Sequence, residues 1–249
     1  MKRVLLISIF AMATLVAAAQ NTTPATTRIT ETATTEQVVS IPKTDWLTPF
    51  NSIKVDAPLN VVFKKVATDE ECRITYDTKG DITSKFKFEV NAKGVLVVSE
   101  KSDPKRTSVT DVTIYYNTLR EVKISHAKAE FENRIEGTMF DLSVSGGAIV
   151  LLDVKTLDLA VECTGVSRLT LNGSTKYLTM RVSTAKVDCS TLSTVATIVD
   201  ASHSAEVRVV VSERLEATTS TGAKLLYKGT PTILRDHTVT FGGDIININ

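Results

Sequence analysis

A nineteen-residue period constrains what this chain can fold into more than any other feature. Steps of nineteen from His126 give His126, Ser145, Thr164, Ser183, Ser202, Thr221 and Thr240, six of them Ser or Thr. The neighbouring columns keep the same period. Five residues on stand Phe131, Val150, Leu169, Asp188, Val207, Leu226 and Ile245, with Val187 beside the one polar member, as if that rung turned one residue early. One residue before the anchor stand Ser125, Val144, Cys163, Val182, Ala201, Ser220 and Val239. Three and five residues before it stand Leu142, Val161, Met180 and Val199, then Phe140, Leu159 and Leu178. Apolar positions two residues apart line one side of a strand. A repeat of about nineteen residues is the coil of a solenoid. One rung cannot bury its apolar face alone, whereas stacked rungs share a continuous core. The residues after the anchor are mostly small, as in Gly146-Gly147, Gly165-Val166 and Gly222-Ala223, which suits a sharp bend between two strands.

The chain ahead of the repeat divides into three parts. Lys2 and Arg3, an apolar run from Val4 to Val16, and Ala17-Ala18-Ala19 have the layout of a cleavable export signal over residues 1–19. Residues 20–44 read as a linker. Its first seventeen positions hold eight Thr and almost nothing apolar, so burial cannot offset the entropy of ordering them. A single domain is expected over 45–249, with lead-in and capping strands first and repeats from about 120. The lead-in runs alternate and are rich in β-branched residues, as in Ile53-Lys54-Val55, Val61-Val62-Phe63, Phe86-Lys87-Phe88 and Val112-Thr113-Ile114. Asn91-Ala92-Lys93-Gly94 reads as a hairpin turn. No window keeps an amphipathic helical stripe, so the class is all-β.

The blocks Ser145-Gly146-Gly147-Ala148-Ile149-Val150, Thr221-Gly222-Ala223-Lys224-Leu225-Leu226 and Thr240-Phe241-Gly242-Gly243-Asp244-Ile245, after a lead-in Phe50-Asn51-Ser52-Ile53-Lys54-Val55, resemble the head GIN domain (DUF2807) family. The resemblance covers about 50–249. His203-Ser204 and Thr184-Ala185 depart from its glycine positions. It implies a right-handed β-helix-like solenoid, a place in the cell envelope of Bacteroidetes, and adhesin-like use without an established activity.

Catalytic and metal-binding patterns are not expected. His126 and His203 stand four rungs apart, about 19 Å at a strand spacing of about 4.8 Å, and His237 has no ligand neighbour at metal-site spacing. Glu162, Arg181 and Asp200 would stack on successive rungs as an alternating ion-pair ladder. A general acid instead needs a carboxyl held protonated. A serine nucleophile needs a base within hydrogen-bond reach, and only His203 follows one of the column hydroxyls, with neighbouring side chains expected to point apart. The hydroxyls are read as structural, satisfying backbone groups at the bend or bonding from rung to rung. Of three cysteines, Cys163 falls in an inward column; whether it pairs with Cys189 stays open. No cofactor is implied.

The 29 basic residues less Lys2 and Arg3 leave 27 against 28 acidic ones, a balance that offers no field for nucleic acid. The expected function is a non-enzymatic, adhesin-like binding or structural module of the envelope, exported to the periplasm or cell surface, with a glycan or an envelope protein as partner. Two other readings stay open. One is a carbohydrate-active β-helix enzyme, a polysaccharide lyase or hydrolase. The other is a protein that self-associates through its C-terminal solenoid edge, where Ile245-Ile246-Asn247-Ile248-Asn249 shows no cap.

Overall fold

The computed structural model describes residues 40–79, 85–101, 108–238 and 242–249. The segments read as export signal and most of the linker, and the positions of Val239 and Thr240, lie outside them. The described chain is all-β and winds into a solenoid of about six turns with roughly nineteen-residue spacing. The long strands are β10 (Ile135–Ser145), β11 (Ile149–Thr164), β12 (Arg168–Ser183), β13 (Lys186–Ser202) and β14 (Glu206–Thr219), each parallel to the next. Two more strands pair with β14: β15 (Ala223–Lys228) along its first half and β16 (Ile233–Thr238) along its second. The last strand, β17 (Gly243–Asn247), pairs with β15.

The inward columns form one core. Leu142, Val161, Met180, Val199 and Ala217 stack in register and are buried, as do Val144, Cys163, Val182, Ala201 and Thr219. At about 25 cal/mol per Å² of apolar area removed from water, such columns supply the dominant stabilising term. The bends between strands are turns with positive φ at their centres. Ala148 donates its N–H to the Ser145 carbonyl at 3.1 Å across Gly146-Gly147, and Ala205 donates to Ser202 at 3.2 Å across His203-Ser204. Both central residues are left-handed, the geometry of a type I′ turn.

Several sequence-derived columns shift by one or two residues. The true partner of Ser145 is Ser125, not His126, and Ala201 faces Thr219, which puts Ser220 rather than Thr221 in the hydroxyl column. The apolar column runs Ala129, Val150, Leu169, Val187, Val207, Leu225 and Ile245, so Phe131, Asp188 and Leu226 leave it. Turn length contributes to the shifts at Ala129 and Val187, and the irregular pairing of β13 with β14 causes those at Ser220 and Leu225. The bends at His126 and Thr184 have one left-handed residue where those at 146–147, 203–204 and 221–222 have two. After the short turn at Thr184, one extra residue between Asp188 and Thr191 bulges out, and the pairing returns to nineteen at Asn172 with Thr191.

The lead-in strands are not a separate preface to the repeat. β2 (Ser52–Asp56) and β3 (Asn60–Lys65) form a rung lying between that of β6 (Val95–Lys101) and β7 (Asp111–Tyr116) on one side and that of β8 (Glu121–Ser125) and β9 (Lys128–Phe131) on the other, all parallel. Parallel stacking therefore starts well before residue 120, out of chain order. It stops where antiparallel strands take over. These are β1 (Lys43–Trp46), β4 (Arg73–Asp77) and β5 (Lys85–Val90), the last joined to β6 by the expected hairpin, where Gly94 donates to Asn91 at 3.0 Å. Tyr76, Phe86 and Phe88 cluster at this end, with ring centroids 4.9–5.8 Å apart. The other end differs. Leu234 pairs with the fully buried Leu215, yet is 43% exposed, because no described strand stacks beyond it.

Candidate functional site

The deepest change in the pattern of each rung lies at a corner. Along β11 every second side chain points inward up to Thr156; the next inward residue is Leu159, so the alternation slips by one. β12 repeats this at Thr175 and Leu178, and β13 at Thr194 and Thr197. A buried hydroxyl must find a partner, and these do. Thr156 donates to Thr175 Oγ1 at 3.0 Å, Thr175 lies 3.2 Å from the Tyr177 carbonyl, and Thr194 donates to the Val210 carbonyl at 2.7 Å. The threonine ladder fixes the corner from inside.

Outside it runs a groove of about 690 Å³. It crosses β11, β12, β13 and β14 and reaches Gly229 and Thr230 after β15, at right angles to the strands. Four rung steps make it about 19 Å long. Its walls carry Ser174, Ser193, Ser212 and Thr230 beside the threonine ladder, and Val195 and Val210 give it apolar surface. Among the described residues Lys155 and Lys176 are the charged ones lining it, and no carboxylate does. Both lysines are exposed, and neither has an ion-pair partner among the described residues. The sequence reading missed this site. Its signal was present in the nineteen-residue spacing of Thr156, Thr175 and Thr194, three residues before the column of Leu159 and Leu178.

Two other depressions are charged and self-neutralising. One holds Arg168, Lys186, Asp188, Glu206 and Arg208. There Glu206 accepts from Lys186 at 3.1 Å and from Arg208 at 3.2 Å. The Lys186 hydrogen bond, helped by the fields of Lys186, Arg208 and Lys224, holds its carboxyl below the usual glutamate range against a smaller opposing effect of burial. The other contains Glu162 and Arg181 with Glu121, Lys123 and Asp141. Glu162, Arg181 and Asp200 do stand in line on three rungs, all exposed. No described N···O contact within 4.0 Å joins them, so the ladder is one of position, not of formed ion pairs. Long charged side chains in water gain little from closing such contacts.

His203 departs from expectation. Its Nδ1 lies 3.1 Å from Ser202 Oγ and 3.2 Å from Ser183 Oγ, because its left-handed backbone turns the ring back over the hydroxyl column. Among the described residues no carboxylate is hydrogen-bonded to the ring, and none of the grooves described above includes it. His126 Nδ1 lies 3.3 Å from Asp56. Among the described residues no three His, Cys, Asp or Glu side chains gather as a metal site. Cys72, Cys163 and Cys189 are all buried and free. A second unforeseen feature sits at the capped end. Trp46, 65% exposed, flanks Arg73, whose guanidinium carbon is 5.8 Å from its ring and 3.9 Å from that of Tyr115.

Comparison with known proteins places this geometry in a recognised group. Residues 49–231 match the family described as "Putative auto-transporter adhesin, head GIN domain". No curated protein sequence matches the chain. A crystal structure of a putative adhesin from Bacteroides fragilis is similar at a TM-score of 0.77 and 19% identity, over 84% of this chain and 97% of that one. A putative adhesin from Parabacteroides merdae is similar at 0.67 and 17%, over 84% and 96%. A protein from Parabacteroides distasonis named as a putative lipid binding protein is similar at 0.57 and 13%, over 83% and 96%. At these identities the likeness is one of fold.

Proposed function

This chain belongs to the head GIN domain family, and from that premise we propose that it is a non-enzymatic, adhesin-like binding module of the bacterial cell envelope, exported by residues 1–19 and displayed in the periplasm or on the surface. The observation that carries the reading is the corner groove. A concavity that crosses successive rungs suits an extended ligand, a glycan or other envelope polymer, better than a small molecule enclosed on all sides. Against an enzyme stands the setting of the acid candidates. Glu162 and Asp200 are exposed on either side of Arg181, whereas a general acid needs an environment that keeps its proton on. The neighbours named as adhesins agree with this reading; the one named for lipid binding shares the fold.

The test is binding of the purified chain to an array of glycans and envelope polymers, with degradation products assayed in parallel. Saturable binding without product is expected, and it should be lost in Ser193→Trp, which fills the groove. Product formation would overturn the non-enzymatic reading. Silence in both assays, with particle mass rising with concentration, would shift the function to self-assembly through the outer edges of β16 and β17.

A further inference from the structure

We infer that the corner groove selects an acidic linear glycan, one carrying carboxylate or sulfate groups, which Lys155 and Lys176 hold by charge. This rests on the groove being the binding site and goes on to name the class of ligand. The first argument is charge. Some lysines of the solenoid close ion pairs: Lys64 with Glu132 at 2.8 Å, Lys123 with Glu121 at 2.6 Å, Lys186 with Glu206 at 3.1 Å. Lys155 and Lys176, like Lys54 and Lys128, close none among the described residues, and Lys176 Nζ lies 5.2 Å from the Tyr177 ring centroid. The carboxylate nearest in sequence, Asp153, is engaged by both Nε and Nη2 of Arg134 at 3.1 Å. Asp158 stands on an outward column opposite Tyr177, and Glu213 follows Ser212 without lining the groove. Two ammonium groups without carboxylates in their cleft form a local positive site on a chain of nearly balanced charge.

The second argument is the kind of surface between those charges. Lys155 is in register with Ser174, and Lys176 lies two residues further along that next rung. One rung of about 4.8 Å along the groove and two residues of about 3.3 Å each across it put the two positions on the order of 8 Å apart. Between and beyond them stand Ser174 and Ser193, paired on adjacent rungs, and Val195 and Val210. Hydroxyls that donate and accept, with small apolar patches, match the alternating hydroxyl and C–H surfaces of a sugar chain. An acidic peptide fits less well. Extended peptides are captured by adding a strand to a free sheet edge. This groove runs across strands whose backbone groups are already spent on the rungs above and below. A membrane surface fits less well, since two lysines fall short of the polybasic cluster by which proteins recognise anionic lipid.

The experiment compares wild type with the double variant Lys155→Gln/Lys176→Gln and with Ser193→Trp, each first shown to melt as wild type does. The probes are oligogalacturonate, sulfated dextran oligomers, unmodified dextran oligomers, polyglutamate and phosphatidylglycerol vesicles. Wild type should bind one or both acidic glycans at least about tenfold more tightly than unmodified dextran, and raising salt from about 0.05 M to about 0.5 M should weaken that binding. The arm that binds identifies carboxylate or sulfate. The double variant should lose about tenfold or more, the scale of a lost charge-assisted contact. Equal binding of charged and uncharged oligomers, unchanged affinity in the double variant, polyglutamate or vesicles binding as tightly as the glycans, or no binding of either acidic glycan would each overturn the inference. If an uncharged polymer binds and Ser193→Trp abolishes it, the groove reading survives and only the charge assignment falls. If glycan binding persists in Ser193→Trp, both fall.

Discussion

Two glycines with similar backbones separate conformational strain from close contact. Gly147 has φ +78°, and a Cβ built on it meets nothing within 4 Å. Gly173 has φ +103°, and a Cβ there would lie 2.1 Å from the Val154 carbonyl oxygen and 2.4 Å from Asp153 Oδ1. Val154 and Gly173 are register partners on adjacent rungs, so the blocked space is the rung spacing itself. An alanine at Gly147 carries a left-handed penalty of about 1–2 kcal/mol, and at Gly173, further from the left-handed well, at least as much. At Gly147 that is the whole cost. At Gly173 real Cβ contacts essentially never fall below 3.0 Å, so the two rungs must part by close to an ångström. Parting them weakens two or more ladder hydrogen bonds at about 1 kcal/mol each, and loosens the packing beneath. Gly173→Ala should therefore lose about 3–5 kcal/mol and Gly147→Ala about 1–2 kcal/mol. Urea unfolding followed by circular dichroism measures both, with the midpoint falling at unchanged slope. Losses that agree within about 0.5 kcal/mol would refute the close-contact argument and leave backbone strain as the only term.

Two further predictions concern titrating groups. Burial pushes the Cys163 thiol up to about 12 and raises that of Cys189 as well, and Cys72 is buried too, so a thiol-specific dye should label none of them until denaturant unfolds the chain. Rapid labelling of Cys163 or Cys189 in the native protein would contradict the packed core. For Glu206 the folded carboxyl titrates below its unfolded value, chiefly through the Lys186 hydrogen bond. Its contribution is present above the ordinary glutamate range and is lost as pH falls through the lowered folded value. Glu206→Gln should flatten that part of the acid limb in a stability–pH profile, and added salt should shrink the difference; an unchanged acid limb would sink the assignment.

The columns that fold the chain were legible because burial imposes two periods at once. Leu142, Val161, Met180 and Val199 are set both by the strand alternation and by the rung length, so chance rarely imitates them. The register near the ends was not legible in the same way. A step of nineteen assumes constant turn length, and the chain changes it at His126 and Thr184 with residues that give no warning beyond a missing glycine. The out-of-order rung of β2 and β3 was beyond a pattern search as well, because alternation says that a strand has an inner face and not which strand it lies beside. The groove was half visible. Its threonines repeat at nineteen, but its character comes from Lys155 and Lys176, which occupy different columns and meet only because the corner brings them to one cleft.

Where the solenoid tolerates change also bears on where it binds. From Leu169 to Val187 the rung is one residue short, and the bulge after Asp188 restores the pairing before the next corner. From β13 to β14 the offset passes from twenty at Lys186 with Glu206, through seventeen at Ser193 with Val210, to eighteen at Ala196 with Arg214. The inward columns on either side stay aligned and buried throughout. Length differences are thus absorbed at turns and corners, while a residue added inside an inward column would flip every later side chain to the wrong face. Residues at a corner answer to fewer constraints than those within the strands. The groove is built from such residues, above a threonine ladder that needs only three hydroxyls in register. A binding surface placed there can change its charges and hydroxyls without disturbing the stack, and that freedom suits a fold whose relatives share its shape at less than 20% identity.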